Sequence, residues 1–565
     1  MITSHTHRSL ILFSTGFVWT VFLFLWWCYY RPVIGIDDAN IYQVYMRNLA
    51  QGYGFVYQIG GEKVEGFTSL LWVLLGALFY RILPVPEWGL LITSLLLVNV
   101  LIMLLNFQLS KLFNERGLRS YHLFFCVLLL IIPGYFDWTL LPQMETALWS
   151  FLLIVLILQA ANKPIKSAAP VKQDLRFSGL LVLLLLTRPE SMLWAPVLLG
   201  LRVLRFRLEG WPWREIIRRN LLPTGVAILT LSALIGWRLW YFGFPFPNTY
   251  YAKVSAAHFD NAREGFLYLA RFVRHQNPML IGMIGWSLGW LYKAGRAQRL
   301  LPSEKPLAIL TAVSLINLVL PLLTGGDHFF LGRVLQPLFP LTFLVFTYLI
   351  FKSEPWPFNS LKGHKRTLAV LALLLLAMLL PDQLRFYQYR TITTDLHIEY
   401  QIAQEGRKTG LQMTAFFENS GPLPVVGVIC AGGFAYTYQG KTLDLLGLNN
   451  VAMAHAHAVK PTDRPKNHGS FDPVVFYAQQ PDLVYPTSFL TDTTNLVLFD
   501  RQADFATDFM ARALQHIHQE ARFKALYVPA LMSRKEQPEV LYAYFRRMYI
   551  AQLDTSRFQI RYLSR

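Results

Sequence analysis

The sequence has little charge and little cysteine for its length. Charged residues make up only 15% of its 565 residues, whereas a soluble protein carries about 25%. Its three cysteines, Cys28, Cys126 and Cys430, form no CxxC pair, so neither a disulfide framework nor a thiolate metal centre is indicated. No glycine-rich loop ends in Lys-Ser or Lys-Thr, which leaves ATP-driven transport without support.

Long apolar runs are what the sequence has in abundance. Hydrophobic residues make up 54% of the chain, and its mean hydropathy is +0.35. Such runs predict membrane-spanning helices, about eleven in all. We predict a polytopic α-helical membrane domain over residues 1–381, followed by a mixed α/β domain over residues 382–565. The predicted spans are residues 9–28, 88–109, 120–134, 145–161, 177–187, 190–204, 220–240, 278–292, 306–323, 334–351 and 367–381.

The net charge of +18 indicates how these helices are oriented. Nearly all of the excess lysine and arginine lies in short loops on one side of the predicted spans, such as KAGRAQRLLPSEKP. Because such loops stay in the cytoplasm, the pattern reflects topology and indicates no nucleic-acid partner. With a cytoplasmic N-terminus and an odd number of spans, the C-terminal domain is expected outside, in the periplasm of a bacterial inner membrane.

The first outer loop, residues 29–87, carries two adjacent acids just after the first apolar run. Asp37 and Asp38 precede the spaced apolar residues of ANIYQVYMRNL, which predict an amphipathic helix in the membrane interface with both acids in its first turn. A half-polar juxtamembrane helix over residues 67–83 is predicted to lie against the outer surface. Loops of this length are usually functional. A purely structural interpretation stays open, in which Asp37 caps the helix and Asp38 is a solvated acid.

Other polar residues lie at the outer ends of the predicted spans. Arg238 is inside ALIGWRLWYFGFP, and a charge within a span is a functional-site candidate, although this one could instead reach the interface between aromatic side chains. Arg188 in TRPES has a local ion pair with Glu190 as its competing explanation. The remaining candidates are Glu145 in QMETA, Lys253 in NTYYAK, and Asp327, His328 and Arg333 in GGDHFFLGR.

The C-terminal domain is predicted to mix strands and helices. LPVVGVI, GKTLDLLG and PDLVYP have the composition of buried strands, and FATDFMARALQHIHQEARF has a helical period. The stretch AHAHAVKPTDRPKNHGSF is predicted to be a polar loop, although His455 and His457 within it could suggest a metal site. His468 in the same loop could reach the active-site mouth and contact acceptor sugars.

These motifs, taken in order, carry a resemblance. DDANIYQVYMRNLAQGYGFVYQIGGEKVEGFTSLLW, METAL, TRPESMLW, PNTYYAK and GGDHFFLGR, with AGGFAYTYQGKTLDLLGLNN, HGSFDPVVF and PDLVYP in the outer domain, resemble the GT-C superfamily of polyprenyl-phosphate-sugar-dependent glycosyltransferases. Within it, the chain looks most like the bacterial group that includes the mycobacterial terminal arabinofuranosyltransferase. The resemblance covers nearly the whole chain. One departure is Ser191, where the related pattern usually has Gly after TRPE.

The resemblance implies an inverting transfer of a pentose or hexose from a polyprenyl phosphate to an envelope glycan or glycolipid, by an arabinofuranosyl- or mannosyltransferase-like enzyme at the outer face of the membrane. It implies a catalytic Asp in the first outer loop. A carboxylate there would take the proton of the attacking hydroxyl, and either Asp37 or Asp38 could do so, with a slight preference for Asp37.

Cations are needed to stabilise the departing phosphate. The candidates for this role are Arg188, Arg238, Lys253 and Arg333. The residues predicted to contact the acceptor or to have another role in the site are Glu145, Glu190, Asp327, His328 and His468. No cofactor and no metal are predicted, although Asp327 and Glu190 could also help to bind a divalent cation.

Three alternatives remain open. The same fold could transfer a sugar onto lipid A or onto protein. A transporter of lipid-linked sugars is a different class, against which stand the one-sided polar residues and the lack of internal repeats. A non-catalytic envelope assembly factor would be favoured if both acids could be lost without consequence. The motifs identify neither the sugar nor the acceptor.

Overall fold

The computed structural model describes most of the membrane part and most of the C-terminal domain, which we call the outer domain after its predicted location. The described residues are 33–114, 119–131, 134–162, 170–276, 279–296, 300–302, 304–329, 331–352, 395–461, 464–490, 509–535 and 539–563. The first and last predicted spans, residues 9–28 and 367–381, and the predicted domain boundary near residue 381 lie outside them.

The helices of the first part follow the apolar runs of the sequence. They are α1 Asp37–Ala50, α2 Leu70–Ile82, α3 Pro86–Phe113, α4 Ser120–Ile131, α5 Tyr135–Thr139, α6 Thr146–Ala161, α7 Pro170–Leu185, α8 Ser191–Leu208, α9 Trp213–Phe242, α10 Asn248–Lys253, α11 His258–Arg271, α12 Met279–Arg296, α13 Glu304–Ile316, α14 Leu320–Thr324 and α15 Phe339–Lys352.

Within the described residues, three helical segments are long and apolar enough to cross a membrane. They are Pro86–Phe113, Trp213–Phe242 and Glu304–Thr324. Four shorter apolar helices accompany them, at Leu70–Ile82, Ser120–Leu129, Thr146–Ala161 and Gln336–Lys352. This composition is that of a multi-pass membrane protein, and the predicted number of about eleven spans stays a prediction.

Helix α9 exposes an apolar surface of the kind that a bilayer covers. Leu221, Ile228 and Leu229 are 64%, 61% and 69% exposed along it. An aliphatic surface of this size would be unfavourable in water and is expected in lipid.

Within its described residues, the outer domain is built on one mixed sheet of six strands in the order β2-β1-β3-β5-β4-β6. Strand β1 pairs in parallel with β2 and β3, and the remaining pairs are antiparallel. The strands are β1 Val426–Val428, β2 Thr442–Asp444, β3 Leu483–Leu490, β4 Tyr527–Arg534, β5 Val540–Arg546 and β6 Phe558–Tyr562. The helices are α16 Asp395–Phe416, α17 Gly433–Thr437, α18 Val451–His455, α19 Pro473–Gln479, α20 Phe509–Ala513, α21 Ala521–Leu526 and α22 Arg547–Ala551.

The mixed character of this domain agrees with the prediction, and the three predicted strand segments contain β1, β2 and the start of β3. The single helix predicted from FATDFMARALQHIHQEARF is wrong. Gln515 and His516 both have φ of 53°, a left-handed conformation that ends α20. A short 3₁₀ turn and α21 follow, so the helical period of the sequence continues across a break.

Helix α1 has Asp37 and Asp38 in its first turn, as predicted, but its uncharged polar residues are covered by protein. Its polar residues Asn40, Gln43 and Asn48 are all buried. Arg407 of α16 donates from Nε to Asn40 at 2.6 Å and from Nη2 to Gln43. The outer domain therefore covers Asn40 and Gln43, whereas Asn48 donates to the backbone oxygen of Val56 in the loop after α1.

Candidate functional site

A cavity of about 380 Å³ lies at the end of the membrane helices where α8 begins and α9 ends. Helix α1, the loop before α8, helices α10 and α11, and the loop after α14 all contribute to its wall. Six of the predicted site residues line it. They are Asp38, Arg188, Glu190, Lys253, Asp327 and Arg333.

Asp38 lies between two cations on this wall. Its Oδ2 is 3.9 Å from Lys253 Nζ and 3.8 Å from Arg333 Nη1. Burial by itself would raise the pKa of Asp38, but Lys253, Arg333 and His328 outweigh it, so the pKa is lowered. Asp38 is therefore a carboxylate at neutral pH, next to two cations that are too distant for direct hydrogen bonds.

Arg333 is held in place by a second acid. Its Nε donates to Asp327 Oδ2 at 2.6 Å, and its guanidinium lies over the ring of Phe329, 4.2 Å from the centroid. Burial would raise the pKa of Asp327, but Arg333 holds it well below its ordinary value. With one edge anchored in this way, the other edge of the guanidinium is directed to Asp38.

Asp37 points away from the cavity, although it is adjacent to Asp38. It is 6% exposed, and its carboxylate accepts hydrogen bonds from the backbone N–H groups of Gly433 at 2.8 Å and Gly432 at 3.1 Å, in the outer domain. Burial raises the pKa of Asp37 to about 6, against the opposing effect of these donors. Ile36, not Asp37, occupies the N-cap of α1. The alternative interpretation, in which Asp37 caps this helix, is therefore wrong.

We expect Gly432→Ala to disturb this contact. A Cβ at position 432 would lie 1.9 Å from the backbone oxygen of Asp37, so α1 and the outer domain would have to separate. Overpacking of this kind costs about 1–3 kcal/mol. Thermal unfolding in detergent checks the prediction, with Gly469→Ala as the matched control because a Cβ there meets only ordinary contacts from 3.7 Å. Equal unfolding temperatures for the two variants would contradict a close fit at Asp37.

Arg188 is shared between two acids at the base of the cavity. Its Nη1 donates to Glu145, which is buried, and its Nη2 donates to Glu190 at 2.7 Å. The local ion pair considered from the sequence is thus present and is extended by Glu145. Glu190 and Asp327, both considered for a divalent cation, are each paired with an arginine in this arrangement.

Arg238 lies apart from the cavity. Its Nε and Nη2 donate to the two oxygens of Glu65, both at 2.9 Å, and the two side chains are 3% and 1% exposed. This bidentate pair joins the outer end of α9 to the first outer loop. Arg238 therefore has a buried acid as its partner, which the motifs did not reveal. It is not among the residues that we propose below to bind phosphate.

The two histidines lie beside the cavity, where the outer domain meets the membrane part. Asn467 of the outer domain donates to Asp327 Oδ1 at 2.9 Å and contacts His328 Nδ1 at 3.2 Å. The ring of His468 packs edge-on against that of His328, with centroids 4.7 Å apart. Burial and the neighbouring His328 lower the pKa of His468 to about 3, so His468 is neutral at physiological pH.

Sequence reasoning missed several residues that shape the site. Glu65, Asn467, Arg407 and the Gly432–Gly433 pair were not singled out, although each one contacts a predicted residue or α1. Glu65 is one of two acids in GEKVEGF, and Asn467 is one polar residue in a polar loop. No spacing distinguishes either from a surface residue, because their partners are distant in sequence.

Comparison with known proteins gives a structural likeness but no family. No family model and no curated protein matches the sequence. Among solved structures, the chain is similar to the archaeal oligosaccharyltransferase AglB from Archaeoglobus fulgidus, in complex with an inhibitory peptide and a dolichol-phosphate. The identity is 11%, the alignment covers 98% of this chain and 75% of that chain, and the TM-score is 0.48. The arabinofuranosyltransferase group indicated by the motifs stays a prediction.

Proposed function

We propose that the chain is an inverting glycosyltransferase that moves a pentose or hexose from a polyprenyl-phosphate donor to a hydroxyl of an envelope glycan or glycolipid. The observation that carries the proposal is the position of Asp38, a carboxylate beside Lys253 and Arg333 on the wall of the cavity. A base next to two phosphate-binding cations is what this reaction requires. The site would face the periplasm of a bacterial inner membrane, as the charge pattern of the loops predicts.

The reaction is a single displacement at the anomeric carbon. Asp38 accepts the proton of the acceptor hydroxyl as its oxygen attacks that carbon. The bond between the anomeric carbon and the phosphate oxygen breaks, and its electron pair leaves with the phosphate. Lys253 and Arg333 stabilise the negative charge that develops on the phosphate. One displacement inverts the configuration of the sugar, and no covalent intermediate on the chain is needed.

The shape of the cavity supports a lipid-linked donor. Among its lining residues, Leu193 of α8, Tyr250 of α10 and Leu323 of α14 are exposed, at 46%, 41% and 58%. These side chains offer an apolar path from the surface of the helices to the cations. An isoprenoid tail could lie along them while the phosphate reaches Lys253 and Arg333.

Donor binding would also activate the base. In the absence of a donor, Lys253 and Arg333 stabilise the carboxylate of Asp38 and lower its pKa, which makes it a weak proton acceptor. An anionic phosphate would compete for both cations and bring its own negative charge close to Asp38. Both effects favour the protonated form, so the pKa of Asp38 rises when the donor is in place.

The acceptor is expected to approach beneath the outer domain. Asn467 and His468 lie on an outer-domain loop next to Asp327 and His328. Their amide and neutral imidazole groups can both donate and accept hydrogen bonds, as the recognition of sugar hydroxyls requires. In this proposal, the loop determines whether the acceptor is a glycan, a glycolipid, lipid A or a protein.

The pH dependence of transfer tests this proposal. Release of polyprenyl phosphate from labelled donors by the purified protein should lose activity at low pH, as Asp38 becomes protonated. The acid limb of kcat, which reports the donor complex, should lie at higher pH than that of kcat/KM, which reports the free enzyme. Lys253→Gln should bring the two limbs closer together, whereas Arg263→Gln, a change at an exposed arginine of α11, should leave them apart. Coincident limbs in the wild type would contradict donor-induced activation, and no release from any polyprenyl-phosphate sugar would contradict the function.

A further inference from the structure

A second charged cluster lies at the opposite end of the helices and has no part in the proposed reaction. Arg202 and Arg205 of α8, Asp174 of α7 and Arg219 of α9 are all buried. Arg205 is about fourteen residues beyond the start of α8, which places it roughly 20 Å along the helix from the cavity around Asp38. By the charge pattern of the loops, this end faces the cytoplasm.

The acid of this cluster is shared by two of its arginines. Asp174 accepts from Arg202 Nη2 and from Arg219, at 2.6 Å from Nε and 3.0 Å from Nη2. Arg205 has a different partner, because its Nη2 is 3.0 Å from Glu209 Oε1. Lys305 also approaches Glu209, at 3.6 Å. Among the described residues, four cations thus face two carboxylates, which leaves an excess of two positive charges.

Several donors in this cluster have no hydrogen-bond partner among the described residues. They are Nε and Nη1 of Arg205 and Nε of Arg202. Arg205 is 3% exposed and Arg202 is 6% exposed, so little water can reach them. A buried guanidinium with free N–H groups is costly unless an anion or another acceptor satisfies it.

These side chains line a small cavity that has room for such an acceptor. It has a volume of about 30 Å³ and lies between the end of α6, the start of α7 and the end of α8. Gln159, Asn162 and Gln173 supply further amide groups to its wall. Since a bound water needs about 10–15 Å³ on this scale, the cavity has room for roughly two oxygen atoms of a larger group.

We infer that this cavity binds the phosphate group of an anionic ligand at the cytoplasmic end of the helices. Two phosphate oxygens would accept from Arg205 and Arg202, and the ester substituent would extend through the open side of the cavity. A phospholipid headgroup and a soluble phosphate share this chemistry.

Ligand-induced stabilisation of the full-length protein in neutral detergent tests this inference. The probes are short-chain phosphatidylglycerol, short-chain phosphatidylcholine and inorganic phosphate, each measured by its shift in Tm. The variants are Arg205→Gln and, as a matched control, Arg214→Gln at an exposed position in the first turn of α9. Loss of a charged hydrogen-bonding partner should weaken binding about tenfold or more in the first variant only.

The probes distinguish the source of the phosphate. Stabilisation of the wild type by phosphatidylglycerol alone identifies a lipid headgroup, whereas stabilisation by inorganic phosphate as well identifies a site open to soluble phosphate. Equal stabilisation by phosphatidylcholine and phosphatidylglycerol, no stabilisation by any probe, or an unchanged response in Arg205→Gln would overturn the inference. Since the wild type is measured directly, poor folding of a variant leaves the inference testable.

Discussion

Asp38→Asn should lower kcat for sugar transfer by about 10²–10⁴-fold, the usual contribution of a general base. Asparagine keeps the size of the side chain and removes its ability to accept the proton of the attacking hydroxyl. The KM for the donor should stay the same or fall, because the substitution removes a negative charge that competes with the donor phosphate for Lys253 and Arg333. Release of polyprenyl phosphate and formation of the glycosylated acceptor, measured together, give both parameters.

Asp37→Asn is the control for this experiment, since it changes the neighbouring acid. Asp37 contacts backbone N–H groups of the outer domain and does not line the cavity. An amide oxygen can keep one of those two hydrogen bonds, so transfer should fall by less than about tenfold while Tm decreases. If Asp37→Asn abolished transfer and Asp38→Asn retained it, the assignment of the base to Asp38 would be wrong.

Arg238→Gln should destabilise the fold by about 3–5 kcal/mol, because it leaves Glu65 buried without its partner. Burial already raises the pKa of Glu65 to about 7 despite the opposing effect of Arg238. A raised folded-state pKa means that the free energy of unfolding falls as the pH rises from the unfolded pKa near 4.5 through about 7, where the buried carboxyl group loses its proton. Without Arg238 the pKa rises further, so the variant should be least stable in alkaline solution.

A double variant separates the structural role of Arg238 from phosphate binding. Glu65→Gln combined with Arg238→Gln removes both charges and should restore most of the Tm that the single variant loses. The donor KM of the double variant should be close to that of the wild type. A donor KM that stays high after stability has returned would show that Arg238 binds the phosphate, as the sequence suggested.

Much of the membrane part is predictable because hydropathy reports burial in lipid. The predicted span 88–109 lies within Pro86–Phe113, and 190–204 overlaps Ser191–Leu208. Helix α9 begins before the predicted span 220–240, with the charged turns WREIIRR. A helix can continue past the bilayer into charged residues, and hydropathy detects only its apolar part.

The site was only partly predictable because its charges are balanced by partners distant in the sequence. Arg238 and Glu65 are 173 residues apart, and Asp37 is 395 residues from Gly432. Neighbouring helical residues point about 100° apart, and accordingly Asp38 lines the cavity while Asp37 contacts the outer domain. Which acid faces the cavity depends on how the outer domain packs against α1. A local sequence pattern does not predict that packing.

A structure determined with a polyprenyl-phosphate donor analogue bound tests the central claim most directly. We expect density for the phosphate within hydrogen-bond distance of Lys253 and Arg333, with the isoprenoid chain leaving past Leu193 and Leu323 and the Arg238–Glu65 pair intact. Phosphate density bound by Arg238 instead, with Glu65 displaced and the cavity beside Asp38 empty, would contradict the account.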